Sequence, residues 1–344
     1  MKDIPTAMKW LMNSPRYTIL NEWGKSVYNE KKGIEMFLKI FPDYYTSEEL
    51  KRNSDSYNLE NLFLEIKDSF YSKYGYYPKS ELVSKYNGML NSLYDGGNIR
   101  FVYVDELLQL SVILFIATLL TWDDKNDDLE TYSNCFRFTL FLLNDVCIFG
   151  EIPSKSVFQD VLPRFLKDIH IVELSEECFW TIMAFTLAHE LAHEYLSLRS
   201  NMSHRADRKK NIDYEEEFQA DRIAYDIVLN NIIEANPKKI KLKSYTYLAP
   251  MMYMDFFDLF YYTDRVLYKK RIPIIDHPLP NTRKAALFRI VDDDKYDFDT
   301  EDGNDLYNCF LNSFDLFKEE LLLKEQRGKL RTVTYTSRRE RLEG

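Results

Sequence analysis

The chain has 344 residues, of which 45% are hydrophobic and 29% charged, a composition typical of globular proteins with room for a sizeable core. Acidic residues outnumber basic ones by 55 to 45, and a surface with a net charge of −10 repels phosphate backbones, which argues against nucleic acid as a partner. The N-terminus has no apolar segment of signal-peptide length, and the cysteines show no CxxC spacing, so we expect reduced core thiols and a cytoplasmic location. The cysteines are Cys135, Cys147, Cys178 and Cys309.

The first half of the chain is predicted to be mostly helical. Apolar residues recur at three- and four-residue spacing in "NLENLFLEIKDSFYSKYG" and in "KSELVSKYNGMLNSLY", which predicts a helix for each. "NIRFVYVDE" follows a Gly-Gly pair and is the best strand candidate. "LLQLSVILFIATLLTW" is very apolar but shorter than the ~20 residues that a membrane-spanning helix needs, so it predicts a buried core helix and no membrane span. "TYSNCFRFTLFLLNDVCIF" predicts a further helix.

The second half is also predicted to be helical. "SEECFWTIMAFTLAHELAHEYLSL" predicts a long helix with Ser175 as its N-cap, and helices are also expected in "DYEEEFQADRIAYDIVLNNIIE" and "APMMYMDFFDLFYYTDRVLYKK". A proline-rich turn, "RIPIIDHPLPN", precedes a short helix and a final one, "NDLYNCFLNSFDLFKEELLLKEQ". We therefore expect a mainly α fold in three parts: a helical region over residues 1–150, a core over 151–327 and a basic tail over 328–344.

The stretch "TLAHELAHEY" places His189 and His193 four residues apart, with Glu190 directly after the first histidine. On a helix, residues four apart share a face, so both imidazoles can face one ion while Glu190 reaches a water molecule beside it. This is the HExxH pattern of two zinc ligands and one general base. The alternative is a helix with incidental histidines, since about one shuffled chain in a hundred would show the pattern.

A catalytic zinc site needs a third protein ligand and an open position for water. The segment "YEEEFQADRIAYD" offers Glu217, and Asp221 lies one turn later, where it can accept the second ring N–H of a ligand histidine. The alternative is a solvated acidic run, which is common at the start of a helix. Beside an HExxH helix, Glu217 becomes the expected third ligand.

These residues resemble the gluzincin metallopeptidases, in which a glutamate in an ExxAD-type sequence on a second helix completes the HExxH helix. The pattern is most similar to the CAAX prenyl protease and heat-shock membrane protease family, where a His-Pro pair and an arginine follow. Here "HPLPNTRKAALFRI" supplies His277 and Arg283. The resemblance covers residues 179–290. Members of that family span the membrane several times, whereas Lit-type phage-exclusion peptidases and ImmA-like regulatory proteases are soluble alternatives, and the choice among them stays open.

The resemblance implies a zincin-like core over residues 151–327, with zinc held by His189, His193 and Glu217. It also implies that Glu190 is the catalytic base and that Asp221 orients a ligand histidine. The implied activity is that of a zinc-dependent intracellular endopeptidase that cleaves a protein or peptide substrate, with a regulatory or phage-defence role by analogy.

The same resemblance places His277 and Arg283 near the cleft, where they would help to hold the substrate or an oxyanion. One rival is a catalytically silent zincin-fold module for binding or sensing, which the presence of Glu190 argues against. Another is a structural zinc site, which would need a fourth protein ligand such as a nearby cysteine. Outside the motifs, we expect His170 to be a partly buried structural residue and His204 to lie in a solvated loop.

Overall fold

The computed structural model describes residues 18–20, 26–28, 59–85, 92–95, 100–121, 129–143, 169–199, 214–229, 246–268, 277–291 and 300–329. The predicted mainly α fold is confirmed over these residues. The helices are α1 Leu59–Tyr74, α2 Glu106–Thr121, α3 Leu129–Phe141, α4 Ile169–Arg199, α5 Tyr214–Ile227, α6 Ala249–Tyr268, α7 Pro280–Val291 and α8 Thr300–Gln326, with a 3-10 turn at Thr246–Leu248. The strands are β1 Thr18–Leu20, β2 Ser26–Tyr28, β3 Glu81–Lys85, β4 Ser92–Asp95 and β5 Arg100–Asp105.

Two small sheets contain these strands. β1 pairs with β2, and in the other sheet β5 lies between β3 and β4, parallel to the first and antiparallel to the second. The strand predicted in "NIRFVYVDE" is confirmed as β5. The prediction of a helix in "KSELVSKYNGMLNSLY" is wrong, because β3 and β4 both fall in that segment. Its apolar spacing is helical, but backbone pairing with β5 decides its conformation, and that pairing is not local.

Helix α2 forms the centre of the core, as its composition predicts. Every residue from 111 to 119 is buried, so this stretch of the helix has no solvent-facing stripe. The Phe115 ring meets Phe256 of α6 edge-on at 5.2 Å between centroids, and Phe310 of α8 at 5.9 Å. No helix in the described part of the chain is both long enough and apolar enough to cross a membrane.

Helix α4 carries the HExxH pattern and is 31 residues long. It begins at Ile169, so the prediction that Ser175 is its N-cap is wrong. Ser175 is fully buried inside the helix, and its hydroxyl makes no hydrogen bond to any described residue. Before Ser175, the partly buried side chains of Ile171 and Leu174 pack against the core and extend the helix upstream. Residues 181–192 are all buried, and α4 packs against α1, α2, α5 and α6.

The hydrophobic core contains residues from both sides of position 150, and the division of the chain at positions 150 and 327 stays a prediction. The expectation of core thiols holds for Cys135 and Cys178, whereas Cys309 is exposed because it lies on the outer face of α8. Burial raises the pKa of the Cys178 thiol to about 12. Cys147, His204 and the tail beyond residue 329 lie outside the described residues, as does the side chain of His170.

Candidate metal centre

The two histidines of α4 and one glutamate of α5 converge on a single point. The Nε2 atoms of His189 and His193 are 3.1 Å apart. The Glu217 carboxylate lies 3.5 Å from the first Nε2 through Oε2, and 3.3 Å from the second through Oε1. All three side chains are mostly shielded from solvent, although they come from helices that are separate in sequence. The three predicted ligands therefore form a group that can hold a metal ion.

The separations within this group can be compared with those of a metal site. Donor atoms bound about 2.0–2.1 Å from a tetrahedral zinc lie about 3.3–3.4 Å from one another. The three observed separations of 3.1, 3.3 and 3.5 Å lie on either side of that value. Two imidazoles and a carboxylate are also a donor set that suits a divalent transition metal. The residues that are present thus fit a metal ion.

A carboxylate lies behind His189, on the side away from the centre. The Nδ1 atom of His189 is 2.9 Å from Oδ1 of Asp221, which is fully buried on α5. With Nδ1 donating to this carboxylate, the lone pair of Nε2 points into the centre. The predicted position of Asp221 one turn after Glu217 therefore brings it to the first histidine.

Arg283 of α7 reaches the same carboxylate. Its Nε donates to Oδ2 of Asp221 at 2.7 Å and one terminal nitrogen donates to Oδ1 at 2.5 Å, which is a bidentate pair. Burial raises the pKa of Asp221, but the guanidinium charge and the hydrogen bonds from Arg283 and His189 outweigh burial and lower that pKa to about 2. Arg283 thus holds Asp221 ionised and in place, whereas the resemblance assigned it to the substrate or oxyanion.

A second carboxylate lies behind His193. The Nδ1 atom of His193 is 3.2 Å from Oε1 of Glu216, the residue directly before Glu217. Each histidine therefore has its own acidic partner on the far side of the ring. The sequence did not identify Glu216, because it is one of three consecutive glutamates that look alike. Only the crossing of α5 over α4 decides which of them faces the histidine.

The electrostatics of the centre favour positive charge. Burial lowers the pKa of His193, but hydrogen bonds with Glu216 and Glu217 outweigh burial and raise that pKa to about 10. The pKa of His189 is raised in the same way by Asp221 and Glu217. Burial would raise the pKa of Glu217, yet its hydrogen bonds with the histidines hold it far below its usual range. The ionised carboxylates of Glu217 and Asp221 beside two imidazoles thus favour a cation at the centre.

A cleft opens beside the centre, and its α4 wall consists of Phe185, Thr186, His189 and Glu190. Glu190 is buried at this wall, and its negative charge contributes to raising the pKa of His193. The predicted base therefore lies next to the candidate metal ligands and on the cleft. The opposite walls come from α6 and from the segment over residues 277–283.

His277 lies at the mouth of the cleft. Its Nδ1 is 2.9 Å from Oε2 of Glu217, and 44% of its side chain is exposed. The two prolines near it, Pro278 and Pro280, are buried and lead directly into α7. The structure thus brings His277 beside the centre and leaves its side chain partly exposed.

Glu194 of α4 was not predicted, although it directly follows His193. Its buried carboxylate accepts hydrogen bonds from the Tyr76 hydroxyl, from the Lys79 N–H at 2.8 Å, and from the N–H and hydroxyl of Ser80 at 3.1 and 2.5 Å. These bonds hold residues 76–80 against the helix that carries the two histidines. A charged residue within a buried helical run is the only sequence signal of this role.

Comparison of the chain with protein-family models, with curated protein sequences and with solved structures finds no match. The function of the centre must therefore be inferred from its own residues and distances. The similarity to gluzincins, which the sequence pattern suggests, stays a prediction.

Proposed function

We propose that the protein is a zinc-dependent endopeptidase of the gluzincin type, with a zincin-like core, that cleaves peptide bonds of a protein or peptide substrate in the cytoplasm. One observation carries the proposal. The Nε2 atoms of His189 and His193 and the carboxylate of Glu217 converge within 3.5 Å of one another, next to a cleft that holds Glu190.

Zinc is the metal we propose for this centre. Catalytic zinc sites combine three protein ligands, drawn from histidine, carboxylate and cysteine side chains, with one position left for water or substrate. His189, His193 and Glu217 would supply the three protein ligands, and Asp221 and Glu216 would fix the two rings. A structural zinc site would be closed by a fourth protein ligand instead.

When bound, zinc supplies Lewis acidity that polarises a carbonyl group and lowers the pKa of a water molecule. In the proposed reaction Glu190 accepts the proton of the attacking water, whose oxygen bonds to the scissile carbonyl carbon. The carbon–nitrogen bond then breaks, and Glu190 passes the proton to the leaving amine. His277, which is partly exposed at the cleft, would hold the substrate or the oxyanion. Arg283 would act through Asp221.

The first test concerns the metal. Protein purified without added metal should contain about one zinc per chain by elemental mass spectrometry, and His193→Ala should lose it. The His189→Ala, His193→Ala double variant serves as the control with the site removed. Full zinc occupancy in that double variant would refute the centre.

The second test separates the base from a ligand. Glu190→Gln should keep zinc and the fold but lose nearly all cleavage, because an amide cannot accept the proton of water. Cleavage would be followed by proteomic identification of new N-termini in lysate treated with each form. Glu217→Gln should instead lower zinc affinity. If Glu190→Gln cleaved as well as the unchanged protein, the protein would not be this kind of peptidase.

A further inference from the structure

We propose that the cleft beside the metal centre is a specificity pocket that accepts a large apolar side chain of the substrate next to the bond that is cut. This inference rests on the proposed peptidase function and adds the chemical class of its substrate. The cleft measures about 620 Å³ when the adjoining open solvent is included. His189 and Glu190 belong to its wall, so a side chain that enters it lies beside the reacting groups.

One wall of the cleft is a single face of α6. Tyr253, Met254, Phe257 and Tyr261 line it, at a spacing that places them along one side of the helix. The Tyr253 and Phe257 rings pack edge to face, with centroids 4.8 Å apart. Tyr253 and Met254 are almost fully buried. This packing gives the cleft a fixed apolar wall on the α6 side.

The apolar surface continues to the centre itself. Phe185 of α4 lies one turn before His189, and their ring centroids are 6.3 Å apart. On the third side, Pro278 and Pro280 are buried and line the cleft. Apolar side chains from three separate elements therefore surround the space in front of the centre.

The charges at the cleft argue against a charged occupant. Arg283 lines the cleft, but Asp221 holds its guanidinium through two hydrogen bonds. An acidic side chain would therefore be repelled by the carboxylate of Glu190, and the arginine that lines the cleft is already paired. A basic side chain would lose hydration at this wall, and it could pair with Glu190 only by engaging the carboxylate that the proposed reaction uses as its base. An apolar side chain avoids both costs and removes apolar surface from water.

The test compares peptides that differ at one position. Around a bond that the protein cuts, peptides with phenylalanine or leucine on the pocket side should be cleaved about 10–200 times faster, as kcat/KM, than the peptide with alanine there. Phe257→Ala removes part of the aromatic wall and should reduce this ratio about tenfold, with zinc content unchanged. Phe260→Ala, on the same helix and also partly buried but not at the cleft, should leave the ratio unchanged.

A binding measurement makes the result independent of catalysis. The zinc-loaded Glu190→Gln variant would be titrated with acetyl-Gly-Gly-X-Gly-Gly-amide, with X as phenylalanine or alanine, by calorimetry. The phenylalanine peptide should bind at least tenfold more tightly, and Phe257→Ala in the same background should remove most of the difference. Tyr261→Ala provides a second variant of the wall if Phe257→Ala does not fold.

The two proposals can fail separately. If cleavage depends on Glu190 but shows no preference for an apolar residue, the peptidase stands and the pocket assignment is overturned. If no peptide is cut in a Glu190-dependent way but the phenylalanine peptide still binds more tightly, the cleft selects apolar side chains. In that case the proposed peptidase reaction is overturned. Equal binding of both peptides would overturn the pocket.

Discussion

The hydrogen bonds on the outer side of His189 and His193 determine which ring nitrogen faces the centre. Asp221 lies 2.9 Å from Nδ1 of the first ring and Glu216 lies 3.2 Å from Nδ1 of the second. A carboxylate at Nδ1 keeps a proton there and leaves Nε2 free to bind a metal. The two partners differ in burial, because Asp221 is fully enclosed and Glu216 is partly exposed.

The Asp221→Ala variant should therefore lose zinc affinity by about 10–100-fold, since the ring of His189 loses the partner that fixes its tautomer. Competition with a chromophoric chelator would measure the change. Circular dichroism should show an unchanged helix content. A variant that binds zinc as tightly as the unchanged protein would show that the Asp221 contact does not orient the ring.

Glu216→Ala should weaken zinc in the same assay, by less than Asp221→Ala because its contact is longer and more hydrated. The matched control is Glu215→Ala. Glu215 is the preceding glutamate on the same helix, is exposed, and accepts a hydrogen bond from Gln219. An equal effect of both substitutions would mean that the general negative charge of the run, and not the hydrogen bond to His193, matters.

The sequence identifies some of these residues and not others. HExxH and the later acidic segment identify His189, His193, Glu217 and Asp221 because regular helical spacing places them on facing sides. Glu216 is missed because the angle between two packed helices selects it. The partner of Arg283 is likewise set by the position of α7, which no spacing within one helix encodes.

Helix α4 is connected to the segment before β3 through one buried carboxylate, that of Glu194. Glu194 accepts from both Lys79 and Ser80, and the carbonyl of Ser80 accepts from Lys67 of α1 at 3.2 Å. Burial lowers the pKa of Lys67. The start of the sheet is therefore held by polar contacts to two helices, one of which carries the metal ligands.

Glu194→Gln should lower the free energy of unfolding by about 1–3 kcal/mol, because the amide leaves some of these buried donors without an acceptor. Tyr76→Phe removes only one of the donors and should cost about 1 kcal/mol. Urea unfolding followed by circular dichroism measures both values. If Glu194→Gln unfolded at the same urea concentration as the unchanged protein, the contact would not stabilise the junction.

The pattern of correct and incorrect elements has one physical cause. Helices such as α2 and α6 are predicted because their hydrogen bonds are local and their apolar spacing reports burial. The segment of β3 and β4 has helical apolar spacing, which predicts a helix. Its strand conformation depends on pairing with β5, which comes later in the chain and which local spacing does not encode. The start of α4 was misplaced for a related reason, since packing against the core overrides the capping preference of Ser175.

The candidate metal centre lies where α4, α5 and α7 meet, and the same few polar groups contact all three helices. An ion that binds only the folded state stabilises it, by about 4 kcal/mol at a thousand times its Kd. Removal of zinc with EDTA should therefore lower Tm by about 5 °C in a chain of this length. Differential scanning calorimetry measures the shift, and the His189→Ala, His193→Ala variant should not respond to EDTA.

The continuous burial of residues 181–192 has a consequence for motion. Amide hydrogens in a helical run with no solvent-facing side exchange with deuterium only when the whole fold opens. His189 lies within this buried run and His193 directly follows it, whereas Glu216 and His277 lie at partly exposed positions on other segments. A centre with two rigid donors can adjust to ions of different radius only through α5 and the 277–283 segment. Replacing zinc by an ion of different radius should therefore alter amide protection locally in those two segments, whereas the protection of α4 should change only as far as the global stability changes.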